Sequence, residues 1–372
     1  MQAHATLLRA MERWLGNRRL PLIAAVLAIV ICAPSLWLGW VADDYILRVY
    51  FSDPPVYPEW SGSPLNAFGF FFGDEEANQR MMASGSLPWW TTPDFRVALL
   101  RPLSSLLHWL DFRLWPTHPF WMHLHSLLWL AAAVAAAGLL YRRILGAGWI
   151  AGLAALLFAL DDAHGLPAMW IANRNTTVSV LFGIAALIAH DAWRRRRSTL
   201  GAVAAPVALA AALLAGENAV AVGAYLVSYA FFLDSGPWPR RSFSLLPCAA
   251  VGAVWATVYA ALGYGASGSG LYIDPVADPL RFAGAVVERA PLLLMGQFAF
   301  PSDVHALLSE EARALAWLTA CAVALVVALL ALPLLRRAVH PLRPRGPVRG
   351  IGSLGHPRCA RQQQQLPGQV LL

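Results

Sequence analysis

The sequence predicts an all-α polytopic membrane protein, a helical bundle of about eight membrane spans with a long connection after the first. Three observations predict it: composition, the positions of uncharged runs, and the distribution of arginine. Hydrophobic residues make up 58% of the 372-residue chain and charged residues 13%, about half the charged share of a soluble domain. The 28 basic residues are all Arg. No physical rule excludes Lys everywhere, so this reads as the codon bias of a GC-rich, bacterial genome.

A membrane helix needs about 20 mostly apolar residues, with shorter spans tolerated to roughly 17. Runs without charge fall at 20–42, 114–141, 144–160, 175–190, 198–216, 218–233, 242–273 and 314–335. The third, fourth and sixth are short and must reach into their charged flanks. The seventh is long enough for a helix and a loop. The first is too long for a signal-peptide core and is followed by no small-x-small cleavage site, so it reads as an uncleaved anchor.

Short cytoplasmic loops collect arginine. Alternate connections hold Arg9, Arg13, Arg18 and Arg19, then Arg142 and Arg143, then RRRR at 194–197, then Arg240 and Arg241, then Arg336 and Arg337. Eight spans with a cytoplasmic N-terminus place all of these on one side. Every Asp and Glu except Glu12, Asp191 and Asp234 falls on the other side or at its boundary. The chain therefore divides into a cytoplasmic N-terminus (1–19), a membrane domain (20–337) whose first outer connection covers about 42–120, and a Pro-, Arg- and Gln-rich tail (338–372) expected to form no packed element. The location predicted is a bacterial inner membrane, with the outer connections in the periplasm. The net charge of +7 follows the membrane sides and does not point to nucleic acid.

The first outer connection is rich in aromatics, among them FGFFFG at 68–73, Trp89 and Trp90. Residues 101–115 repeat leucine at helical spacing and read as a helix along the outer face. Ionisable residues at membrane depth are costly and mark candidate function. On the outer side these are Asp43 and Asp44, Arg101, Asp111, Asp161 and Asp162 with His164, Arg174, and Glu217. An acid at a helix end also serves as a cap, so each pair has a structural alternative. Glu217 is more telling, because AGENAVAV sets one carboxylate between apolar runs with no loop to solvate it.

Other chemistries lack residues. GYGASGSG (263–270) has no following Lys-Ser/Thr and reads as a flexible connection. HExxH and GxSxG are absent, and the four cysteines (Cys32, Cys248, Cys321, Cys359) lie too far apart for a disulfide framework or a zinc site. No cofactor is implied with certainty; a divalent metal is left open.

Taken in order, the acid pair after the first span, RPLSSLLHWLDFRLWPTHPFWMHLHSLLWL, HGLPAMWIANRNTTVSVLF and AGENAVAV resemble the GT-C glycosyltransferases. The closest resemblance is to the protein O-mannosyltransferase-related enzymes of the transmembrane-and-TPR type and their bacterial relatives. It covers about residues 38–235. The resemblance implies a GT-C-like bundle and matches Arg101, Pro102, Asp111 and His123 in one segment, His164, Trp170 and Arg174 in another, and Glu217 in the last. Ser126 and Leu130 stand where the family usually has Asn and a further His, and Asn173 replaces a Gly. No TPR repeats follow, and relatives continue with more spans, so a truncation or shifted frame after Arg337 is expected.

The implied reaction is inverting transfer of a sugar from a polyprenyl-phosphate donor to a glycan, lipid or protein acceptor at the outer face. Asp43 and Asp44 are the catalytic candidates, with Asp43 as base and Asp44 capping the next turn or orienting its neighbour. Arg101, Asp111, His123, His164, Arg174 and Glu217 are the candidates for substrate binding. One outward-facing cavity should join an Asp of the pair to Arg101 or Arg174, with His164 and Glu217 on its walls. The alternatives are an O-antigen ligase or polymerase, whose large loop comes late, and a transporter or flippase, which would show paired repeats.

Overall fold

A computed structural model describes residues 2–54, 62–268, 272–275, 277–296 and 309–339; most of the tail, from 340 onward, lies outside the described residues. The helices are α1 (Gln2–Leu15), α2 (Leu20–Cys32), α3 (Asp44–Tyr50), α4 (Glu75–Ala83), α5 (Pro102–Leu114), α6 (Pro119–Leu145) and α7 (Trp149–Ala159). They continue with α8 (Gly165–Met169), α9 (Arg174–Arg196), α10 (Thr199–Ala215), α11 (Ala221–Phe232), α12 (Trp238–Ala261), α13 (Pro279–Gly296) and α14 (Glu310–Val339).

Each of the eight uncharged runs contains a helix, but not all are full-length spans. Five helical segments among the described residues are long and apolar enough to cross a membrane, and six if α7 and α8, bent by 46°, count as one. The other two runs hold α10, with 17 residues, and α11, with 12. At 1.5 Å per residue α10 reaches about 25 Å, short of a roughly 30 Å hydrocarbon layer. The protein is thus a multi-pass membrane protein with at least five candidate spans. Pro119 at the start of α6 and the αL residue Arg197 (φ +55°) after α9 mark two of the boundaries. Ser198 then caps α10 by accepting the Gly201 N–H at 3.1 Å.

The connections alternate between two ends of the bundle, and Arg142, Arg143 and the arginines of 194–197 and 240–241 gather at one. There Arg142 donates to the Asn17 carbonyl at 2.9 Å, Arg143 pairs with Asp191 at 3.0 Å and Arg194 with Asp234 at 2.6 Å. These contacts bring 2–19, 142–149, 191–199 and 233–241 together. The core consists of small and branched side chains from α9 to α12 (Ala186, Ala205, Leu209, Leu213, Leu226) and from α2, α6 and α7 (Ala24, Ala28, Leu127, Val134, Ala159). Close approach requires glycine at Gly201, where a Cβ would lie 2.6 Å from the Ala189 carbonyl oxygen.

The opposite end, here the loop end, carries a feature an all-α reading did not include. Strands β1 (Gly69–Phe72), β2 (Arg96–Ala98) and β3 (Gly265–Ser267) form an antiparallel sheet in the order β1-β2-β3. FGFFFG supplies β1. GYGASGSG, expected to be a flexible connection, supplies β3 by pairing across the sequence with β2. Tyr264 donates to Asn66 Oδ1 at 2.9 Å and packs edge-on against Phe72. The segment after α12 is thereby fastened to the first outer connection. α5 is a helix as expected, with Ser104, Ser105, His108 and Asp111 on its buried face.

Candidate functional site

Residues 170–175 (WIANRN) form a tight turn, with a 3-10 helix at Ile171–Asn173, leading into α9. Most of the polar residues singled out in the sequence converge on it. Asp44 is fully buried. One of its carboxylate oxygens accepts the Ala172 N–H at 2.7 Å and the other the Val41 N–H at 2.9 Å. Burial pushes the Asp44 carboxyl up, opposed by the backbone donors Val41, Ala172 and Ile171. Asp44 is therefore a cap that ties the start of α3 to the turn. His123, also fully buried, lies with Nε2 2.7 Å from the Gly39 carbonyl oxygen and holds the chain leading to Asp44.

Arg174 is 1% exposed. Its Nε donates to Ser126 Oγ at 2.8 Å, Nη1 to Asp111 and Nη2 to the Met122 carbonyl at 2.7 Å. His125 extends the cluster. Trp129 Nε1 donates to its Nε2 at 2.8 Å, which leaves the proton on Nδ1, 2.7 Å from Asp111 Oδ1. Contacts on both ring nitrogens thus fix the orientation of the imidazole. Burial pushes the Asp111 carboxyl up, but Arg174 and His125 outweigh it and hold the group below the usual carboxylate range. The neighbouring His108 is buried with both ring nitrogens unpartnered among the described residues. Burial first, then the Arg174 charge, lowers it to about 3, so it is neutral.

The next residue of the turn leads to a second ion pair, and this one is accessible. With its amide nitrogen toward the Ala172 carbonyl, the Asn175 oxygen accepts from Arg101 Nη1 at 3.2 Å. Arg101 Nε donates to Glu217 Oε2 at 2.7 Å, across 116 residues. The two side chains are 20% and 22% exposed. The guanidinium also lies over the Phe68 ring, 5.3 Å from its centre. Glu217 Oε1 is buried and has no hydrogen-bond partner among the described residues. Ser104 donates to the Ala215 carbonyl at 2.7 Å and so holds the start of α5 against the end of α10, which sets Arg101 beside Glu217.

A cavity of about 700 Å³ opens between α6, α7, α9 and α11, with Asn218, next in sequence to Glu217, on its wall. Ser179 and Asn218 line its loop end, Tyr141, Gly183 and Val222 its middle, and Tyr229 the arginine end. It follows α11 from residue 218 to 233, about 22 Å at 1.5 Å per residue. Apart from the tyrosines, Ser179, Asn218 and Ser228, the walls are aliphatic or aromatic.

The structure therefore distributes the expected residues unevenly. Arg101 and Glu217 meet as a half-open pair. Asp44, Asp111, His123 and Arg174 meet behind it, but each is buried and engaged, so in this arrangement they position the turn and do not face a ligand. His164 lies apart: its Nε2 is 2.6 Å from the Phe158 carbonyl oxygen and caps α7 at the bend. Asp43 is half-buried and makes no side-chain hydrogen bond among the described residues; burial pushes its carboxyl up. None of the four cavities described is lined by Asp43, Arg174 or His164. Sequence reasoning missed Asn175, His125, Ser126 and Trp129. His125 and Trp129 had a legible signal, polar-tipped residues four apart inside an apolar run; Asn175 had only its place beside Arg174. No group of three or more His, Cys, Asp or Glu able to hold a metal occurs among the described residues.

No family model, no curated protein and no solved structure matches this chain.

Proposed function

We propose that this protein is an inverting glycosyltransferase of the GT-C type, which moves a sugar from a polyprenyl-phosphate donor to an acceptor at the outer face of a bacterial inner membrane. In this reading the eight apolar segments cross the membrane eight times with the N-terminus in the cytoplasm. The observation that carries it is the partly exposed Arg101–Glu217 pair, with Asn218, next in sequence to Glu217, on the wall of a largely apolar cavity. A lipid phosphate needs a cation held in a poorly solvated site beside a place for its tail, and these residues supply both. The donor arrives laterally from the bilayer, so a nucleotide-binding domain is unnecessary.

Arg101 meets the phosphate with Nη2, the guanidinium nitrogen committed neither to Glu217 nor to Asn175. Glu217 holds Arg101 in place through Oε2. Asp43 is the base: its carboxyl, raised by partial desolvation, is a stronger base than a solvated aspartate. It takes the acceptor hydroxyl proton as the oxygen attacks the anomeric carbon from the face opposite the phosphate. The bond from that carbon to the phosphate oxygen breaks, and the phosphate leaves with the electron pair beside Arg101. The acceptor and Asp43 approach from the loop end, across the turn that Asp44 caps.

The test is purified protein incubated with a panel of polyprenyl-phosphate sugars and assayed for released lipid phosphate. Arg101→Gln should slow release by about a hundredfold, the scale for losing one transition-state donor. Failure of every donor to release lipid phosphate, with and without divalent metal, would remove the reading.

The bend between α7 and α8 favours a second reading, a transporter with broken helices. Transporters of that kind break two helices in corresponding repeats, whereas the described residues show one bent pair. Uptake of a labelled lipid-linked sugar into vesicles, without hydrolysis or transfer, is its test.

A further inference from the structure

The arginine end carries a cavity unrelated to the proposed reaction. It has a volume of about 620 Å³ and lies between α1 and the connection from α6 to α7. Arg9, Glu12 and Arg13 line it from α1, and Ala147, Gly148 and Trp149 line it from the connection.

α1 is strongly amphipathic. Met11, Trp14 and Leu15 recur at helical spacing on one face, and Thr6, Arg9 and Arg13 share the opposite side. A soluble helix buries such an apolar face against protein. Here Met11 is 52% and Trp14 50% exposed, so part of the apolar stripe is without a protein partner among the described residues. Arg9 and Arg13 likewise form no ion pair among the described residues, and Arg13 Nε reaches only the Arg9 carbonyl at 3.3 Å.

The position of the helix is fixed, so the membrane must lie beside it. α1 ends at Leu15 and the first candidate span begins at Leu20. A Cβ on Gly152 would overlap the Leu15 carbonyl oxygen at 1.9 Å, so the end of α1 packs backbone to backbone on α7. Arg142 Nη1 donates to the Asn17 carbonyl at 2.9 Å and pins the turn into α2. Trp149 and Ile150, 43% and 54% exposed, supply further apolar surface on the connection beside it.

From these observations we infer that α1 lies in the membrane interface and that the cavity beneath it binds the phosphodiester headgroup of a monoanionic phospholipid. The two arginines against Glu12 leave one net positive charge on the cavity walls, which matches a single phosphodiester. Arg18, Arg19 and Arg142 add to the positive field at the same end. The acyl chains of the lipid lie along the exposed Met11–Trp14 face. This inference does not depend on the proposed reaction, nor on which side of the membrane the arginine end faces.

The test is native mass spectrometry of the full chain released from mixed micelles of phosphatidylglycerol and phosphatidylcholine. The wild-type protein should retain phosphatidylglycerol in preference. Arg9→Gln with Arg13→Gln, both at exposed positions, should weaken retention by about thirtyfold, from about 1 kcal/mol per arginine near an anionic headgroup. Arg9→Lys with Arg13→Lys should keep most of it. Equal retention of the two lipids, or unchanged retention in the Gln variant, would overturn the inference. Displacement by inorganic phosphate at the same concentration would overturn it as well, by showing a site for a soluble anion.

Discussion

Arg174 has the most consequential environment of any single residue, because a fully buried guanidinium is tolerated only when each nitrogen is engaged. Removing one partner of such a pair strands the other charge and costs about 3–5 kcal/mol. Asp111→Asn and Arg174→Met should each lower the thermal midpoint of the detergent-purified protein sharply. Combining Asp111→Asn with Arg174→Met should cost less than the sum of the two single changes; strict additivity would show that the two do not act as a pair. His108 gives a pH signature. Its ordinary value is 6.5 and its folded value about 3, so below about 6.5 the unfolded chain takes up a proton that the folded chain refuses. Stability is complete above that pH and falls as the pH drops toward 3, by up to about 1.4 kcal/mol per unit. Asp111, held low, adds a loss of the same sign at still lower pH, through its depressed folded value. His108→Leu should flatten the decline between pH 6.5 and 5 while leaving the Asp111 loss. An unchanged slope would mean that His108 is not the neutral buried group described.

Elements in this bundle are joined by small residues and caps more than by large apolar side chains. α9 and α10 touch backbone to backbone at Gly201, where a Cβ would lie 2.6 Å from the Ala189 carbonyl oxygen and 2.8 Å from the Trp193 nitrogen. Gly201→Val should force the pair apart at a cost of about 1–3 kcal/mol, read as a lower midpoint; a stable variant would show that the helices can slide. The sheet offers a gentler test. Tyr264→Phe removes the bond to Asn66 and keeps the ring against Phe72, so it should cost about 0.5–1.5 kcal/mol. Hydrogen exchange should rise at β3 and β2 and remain unchanged in α6 and α9. Uniform exchange changes across the molecule would contradict a local fastening.

At the scale of the whole molecule, the alternation of connections decides what faces what. The ion pairs of Arg143 with Asp191 and of Arg194 with Asp234 lie at the opposite end of α9 from Asn175 and Arg101. In the proposed orientation, a reporter fused after Ser198 should be active only in the cytoplasm, and one inserted at position 90 only in the periplasm. The opposite result at either position would reverse the orientation and move the proposed site to the wrong side for a periplasmic transfer. Asp43→Asn should reduce transfer by at least about a hundredfold, the contribution of a general base, with donor binding kept. Full activity in that variant would take Asp43 out of the mechanism and leave Arg101 and Glu217 to be explained as a positioning pair.

The sequence by itself determined the class of this protein and where its helices run, because membrane burial demands contiguous apolar residues and leaves arginine only at the ends. Those are local properties, legible without knowing any contact. It also marked Glu217 as a carboxylate without local solvation, and it marked Arg101, Asp111 and Arg174 as costly charges needing partners. Which partner each one takes was not legible. Arg101 finds Glu217 across 116 residues, and Arg174 finds Asp111 and Ser126 on two other helices, through crossings that no spacing encodes. The same holds for the sheet: Gly265–Ser267 looks like a loop until β2 supplies its hydrogen bonds. The division between Asp43 and Asp44 was likewise decided in three dimensions. Adjacent residues at a helix start diverge, and only the packing of the WIANRN turn against α3 commits Asp44 to two backbone amides and leaves Asp43 half-exposed with its carboxylate unengaged.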